Sequence, residues 1–130
     1  IRGALEILRP TFDESNGMDG YVSVEVDPRL ARDSIGTINA ARSLHQEINK
    51  PNVLIKIPAT KESLPAVETM ISEGRSVNVT LIFSLSRYEE VMEAYLSGLE
   101  KCSGDLSNVT SVASFFISRT DTEVDKRLDG

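Results

Sequence analysis

With 130 residues the chain is long enough for one domain with a real core. Its net charge of −6, with basic residues scattered, argues against nucleic acid or an anionic membrane as a partner. It leaves room for a small anionic substrate, because one pocket can be positive on an acidic protein. The lone Cys102 excludes an internal disulfide, and no signal peptide or membrane-length apolar run appears, so the expected setting is cytoplasmic.

The spacing of Leu5, Ile7, Leu8 and Phe12 predicts a helix over about Arg2–Asp13, followed by the polar loop Glu14–Gly20. The chain opens at Ile1 in what reads as mid-helix, the expectation for a segment of a longer protein. A strand is predicted at Tyr21–Val26 and a helix at about Asp33–Asn49. A second strand, Val53–Ile57, precedes a helix from about Glu62 to Glu73 that stops at Gly74. The third strand is Val77–Phe83, with a helix from Ser86 to about Lys101; the fourth is Val112–Ile117, with a short amphipathic helix from near Asp121. Strands alternating with helices of about a dozen residues indicate βα units and a parallel sheet. The periodicity leaves open whether the sheet closes or stays open with helices on both faces.

Period-two alternation sorts the strand residues into two faces. Val22, Val24 and Val26 oppose Ser23, Glu25 and Asp27; Val53, Ile55 and Ile57 oppose Leu54 and Lys56. Val77, Val79, Leu81 and Phe83 oppose Asn78, Thr80 and Ile82; Ala113, Phe115 and Ile117 oppose Ser114, Phe116 and Ser118. One face of each strand is uniformly apolar and suits covering helices. The other gathers a carboxylate, an amine, an amide and two hydroxyls, which in a parallel sheet must find partners in a lumen or a covered layer.

Lys56 is the most informative of these residues. It interrupts the apolar run Val53–Pro58, where a buried ammonium is costly and a neutral amine is favoured. A neutral amine in such a place is the nucleophile that Schiff-base chemistry requires. The ordinary alternative is a lysine that carries its charge to the strand end. Convergence with Glu25, Asn78, Thr80 and Ser114 brings the chemical reading level with the ordinary one.

The runs Val22–Leu30, Val53–Thr60 and Val77–Ser84 resemble successive strand motifs of the transaldolases, and Ser114–Arg119 resembles their phosphate-binding strand end. The wording is similar to the longer bacterial, actinobacterial type. This resemblance implies a partial (β/α)8 barrel: about four parallel strands with intervening helices, residues 1–130 forming a single central segment. A complete barrel needs about 250 residues. The implied activity is Schiff-base transfer of a dihydroxyacetone unit between sugar phosphates of the pentose phosphate pathway, with no metal or organic cofactor. The implied roles are Lys56 as nucleophile, and Glu25 with Thr80 holding a proton-relaying water. Asn78 would bind donor hydroxyls, and Ser114 with Arg119 the phosphate. Further family residues, an aspartate and a second phosphate-binding arginine, are implied on strands outside this chain. Ser63 stands where the family usually has glycine.

Two other readings compete with transfer. A related Schiff-base sugar-phosphate aldolase would cleave without an acceptor, and a non-catalytic barrel fragment would offer open sheet edges to partners. Asp13, Ser15 and Asp19 read as a solvated turn rather than a calcium loop, because the EF-hand spacing is not met. His45 reads as an exposed helix residue, and Tyr88, Met92 and Tyr95 as helix-to-sheet packing.

Overall fold

The computed structural model describes residues 1–128. Helix α1 (Arg2–Glu14) leads into strand β1 (Val22–Glu25), followed by α2 (Ser34–Ile48), β2 (Val53–Pro58), α3 (Leu64–Ser72), β3 (Val77–Ile82), α4 (Leu85–Lys101), β4 (Ser111–Phe115) and α5 (Ile117–Leu128). Short 3-10 turns at Pro28–Leu30 and Lys61–Ser63 follow the first two strands. Helix starts are set by local chemistry. Asp33 accepts from the Gly36 amide at the head of α2, and Ser84 from the Arg87 amide at the head of α4. At the other end, α2 stops at Asn49, whose left-handed backbone a short polar side chain tolerates.

The four strands are parallel and lie in the order β1-β2-β3-β4. Their inner residues Val24, Ile55, Ile57, Val77, Val79 and Ile82 form one buried cluster with Ala41 and Ile48 of α2, Val67, Met70 and Ile71 of α3, and Val91 and Ala94 of α4. Helices α2 to α4 therefore cover a single face of a sheet whose neighbours are consecutive in sequence. A doubly wound sheet reverses its strand order and carries helices on both faces; this arrangement is that of a (β/α)8 barrel segment. No helix among the described residues is long and apolar enough to cross a membrane.

Several sequence expectations change. Leu81 takes a left-handed backbone (φ 61°), and the β3–β4 register shifts between Val79 and Ile82. This is a β-bulge, and it inverts the alternation beyond it. Ile82 therefore enters the core while Phe83 is exposed and meets Phe116, with ring centroids 5.6 Å apart. Secondly, β4 ends at Phe115, so Ile117 to Arg119 belong to α5 and not to a strand. Ala113 and Phe115 are exposed, because α5 buries none of its residues against them. Thirdly, His45 is half-buried rather than exposed. Tyr88 and Tyr95 pack on the core as expected, whereas Met92 stays exposed.

Two features of the packing generate tests. A Cβ built on Gly98 of α4 would lie 2.7 Å from the Ile71 side chain and 2.8 Å from the Glu68 carbonyl of α3. Glycine is thus what lets the two helices touch. Gly98→Ala should lower stability by about 1–3 kcal/mol, the range for overpacking, seen as a lower urea midpoint at unchanged m. His45 is held below its ordinary pKa of 6.5 by burial and by the nearby Arg75 guanidinium, with Glu73 opposing. The unfolded chain therefore takes up this proton first as the pH falls through 6.5. Stability should drop below that pH until the folded imidazole also titrates, and His45→Gln should remove that slope from a pH series of denaturation midpoints.

Candidate active site

Parallel register assembles the site before any side chain is considered. Glu25 lies opposite Lys56, and Lys56 opposite Asn78, so a carboxylate, an amine and an amide occupy adjacent strands at one level of the face opposite the helices. Lys56 Nζ stands 3.9 Å from Glu25 Oε2, close enough for charge attraction but beyond a hydrogen bond. Lys56 is not fully enclosed: its side chain is 29% exposed and that of Glu25 47%, because the four strands leave this face open. An ion pair so exposed contributes at most about 1 kcal/mol. Stability does not explain why a lysine occupies this position.

Asn78 is held from both sides. Its Nδ2 donates to Ser23 Oγ at 3.0 Å, and its Oδ1 accepts from Ser114 Oγ at 2.9 Å. One residue pair further along, Thr80 lies opposite Pro58 with its side chain fully buried. The Thr80 hydroxyl has no hydrogen-bond partner among the described residues. Buried hydroxyls are normally paired, and the exceptions mark sites where water or a ligand supplies the partner. The strained Leu81 backbone follows directly, and such strain in a bulky residue is concentrated at functional positions.

Glu25, Lys56, Asn78 and Ser114 thus come together on one face, with Thr80 one level above. Arg119 is placed differently, as the third residue of α5. Its guanidinium carbon lies 4.7 Å from the centre of the Phe116 ring, a cation–π contact that leaves the charge exposed. The loops beyond the strands are tied down. Asp27 pairs with Arg29 and accepts from its amide, which pushes the Asp27 carboxyl down to about 2. Thr60 and Ser63 have their hydroxyls 2.9 Å apart, and both reach the Ala31 carbonyl, joining the loop after β2 to the loop after β1. Ser63 has an ordinary helical backbone (φ −92°, ψ −12°), so nothing in its conformation calls for glycine.

The model of the transaldolase/fructose-6-phosphate aldolase family matches residues 1–130. The chain belongs to this family. It is 58% identical to Transaldolase 1 of Streptomyces coelicolor over 98% of its own length, which is 34% of that protein. It is likewise 58% identical to the transaldolase of Thermobifida fusca, again over 98% of the chain and 36% of the relative. With the transaldolase of Mycobacterium tuberculosis it shares 55% identity over 99% of the chain and 35% of the relative. The chain spans about a third of the length of these curated relatives.

Within this family frame, two residues that drew no role from the sequence stand at the site. Ser23 was visible on the polar face, but its bond to Asn78 crosses two strand spacings. Phe116 sits on the polar face by alternation, and only the fold shows Arg119 lying over its ring. The orphaned Thr80 hydroxyl yields a stability test. Replacing a buried unpaired hydroxyl by an isosteric apolar group removes a desolvation penalty, in the range of about 1–3 kcal/mol. Thr80→Val should therefore hold or raise the thermal midpoint; a clear loss of stability would assign the hydroxyl a structural partner.

Proposed function

We propose that this chain carries the Schiff-base centre of a transaldolase, with Lys56 as the nucleophile toward a phosphorylated ketose. The observation that carries the reading is the placement of a lysine between a carboxylate and an amide, in register, on the solvent-reached face of a parallel sheet. Active sites of (β/α)8 barrels lie at the C-terminal ends of the strands, where Glu25, Thr80 and the heads of the βα loops are found.

In this reading the Lys56 amine, once it has given up its proton, adds to the ketose carbonyl carbon, and the resulting carbinolamine loses water to give a protonated imine. The bond from the carbon next to the imine to the hydroxyl-bearing carbon beyond it then breaks. That hydroxyl gives its proton to a base and its carbon departs as the aldehyde, while the electron pair left on the carbon next to the imine is taken up by the imine nitrogen as an enamine. Attack of that enamine on an aldose phosphate forms the new bond, and hydrolysis returns the lysine.

Glu25 is the proton carrier of the first and last steps. Because it does not bond Lys56 directly, a water held between Glu25 and Thr80 carries the proton, as the family resemblance implies. Asn78 addresses the donor hydroxyls, and Ser114 with Arg119 the phosphate, for which a planar guanidinium is suited. The ligands are thus phosphorylated sugars, and the single unpaired Cys102 agrees with a cytoplasmic setting.

Borohydride trapping with fructose 6-phosphate tests the assignment. The expected result is a reduced sugar adduct on the Lys56 peptide, absent from Lys56→Arg. A folded chain that gives no adduct, or one on another lysine, would sink it. In the full-length enzyme Glu25→Gln should lower kcat at least ~100-fold with KM little changed, the lower end of what general acid–base catalysis supplies. A change confined to KM would remove Glu25 from the proton path.

A further inference from the structure

We propose that Ser23 is a positioning residue that sets the carboxamide of Asn78 across the floor of the site; the inference rests on the transaldolase reading above. Asn78 is on β3 and Ser23 on β1, so two strand spacings, roughly 9–10 Å, separate their backbones. The register puts Ser23 opposite Leu54 and Asn78 opposite Lys56. Their 3.0 Å hydrogen bond therefore runs diagonally over β2, between the levels of Leu54 and Lys56. Leu54, although on the face away from the helix-covered core, is only 3% exposed. The site thus has a closed floor beneath an open top.

The chemistry follows from counting donors and acceptors. A carboxamide has two N–H donors and an oxygen with two lone pairs. Ser23 takes one N–H and Ser114 fills one lone pair, so the amide plane is fixed with nitrogen toward β1 and oxygen toward β4. One N–H and one lone pair remain, and both lie in that fixed plane beside Lys56. With Ser114 alone, rotation about the terminal torsion is opposed from one side only, and that torsion is broad. Ser23 is thus what converts an amide that can reach the donor sugar into one already aimed at it. Preorganisation of this kind is felt in binding and reaction rather than in folding.

Ser23→Ala and Ser23→Thr separate this role from a structural one. In 15N spectra, the Asn78 side-chain NH2 pair, assigned by its loss in Asn78→Asp, should shift and exchange faster with solvent in Ser23→Ala. Ser23→Thr should restore it. Both variants should unfold at the wild-type denaturant midpoint, because Ser23 is exposed. In borohydride trapping, Ser23→Ala should need about five-fold more fructose 6-phosphate for half-maximal labelling of Lys56, the equivalent of one neutral hydrogen bond, and Ser23→Thr should bring it back. An unmoved Asn78 resonance, or a shift that Ser23→Thr does not reverse, overturns the clamp. So does an unchanged labelling curve in a chain whose wild type is labelled. If wild-type Lys56 takes no label at all, the transaldolase reading fails instead, and the amide resonance decides the clamp alone.

Discussion

Parallel register between β1, β2 and β3 is the constraint on which everything else in this chain depends. Because the side-chain period of a strand is two, a slip of one residue would exchange the faces of a strand completely. Lys56 would then point into the cluster of Ile57, Val67 and Met70, and Ile55 or Ile57 would take its place on the open face. Apolar burial against α2 to α4 prevents the slip, so the same packing that stabilises the sheet also aligns Glu25, Lys56 and Asn78. Fold and site are specified by one set of contacts.

That economy divides the sheet into a face that stabilises and a face that carries the candidate site. On the helix side of β1 to β3 nearly every residue is apolar and buried, each large one contributing about 1.5–3 kcal/mol by transfer from water. On the other side the polar groups contribute little or act against stability. The Lys56–Glu25 pair is half exposed, the Thr80 hydroxyl is buried unpaired, and Leu81 takes a backbone that bulky residues avoid. Three locally unfavourable or neutral choices within one small region are what a site under functional constraint produces. The bulge links the two faces: by inverting the phase at Leu81 it sends Ile82 into the core and Phe83 toward Phe116.

What the sequence revealed, and what it hid, follows from the range of the interactions involved. Strand positions and the two faces of β1 and β2 depend on alternation within five or six residues, and they are as the pattern predicts. Helices α2 and α4 carry Asp33 and Ser84 at their heads, and those starts fall within two residues of expectation. The phase change in β3 was invisible, because Val77–Phe83 alternates without a break and the bulge arises from pairing with β4. The end of β4 was misjudged for a related reason. Phe115, Phe116 and Ile117 all have strand-like side chains, yet the Phe116 amide makes its bond to the Ile82 carbonyl and the helix begins at the next residue. His45 lies on a charged stretch of helix, and the Arg75 guanidinium that acts on its imidazole is thirty positions away in sequence. The Ser23–Asn78 bond lay furthest from reach, since it joins residues 55 apart in sequence across an intervening strand.

The proposed function asks an acidic chain to hold an anionic ligand without drawing it from a distance. With a net charge of −6, the long-range field repels phosphates and gives no steering. Near the strand ends, Arg29 is already paired with Asp27 and the Lys56 charge is partly offset by Glu25. Arg119 is different: its guanidinium lies on an aromatic face, which orients the fork without neutralising it. In the proposed reading, a phosphate meeting this surface finds a short-range, directional contact instead of a broad positive field. Recognition then depends on geometry at contact, and the fixed amide of Asn78 belongs to that same design. Both hold their donors in place before the ligand arrives, so that little order remains to be imposed on binding.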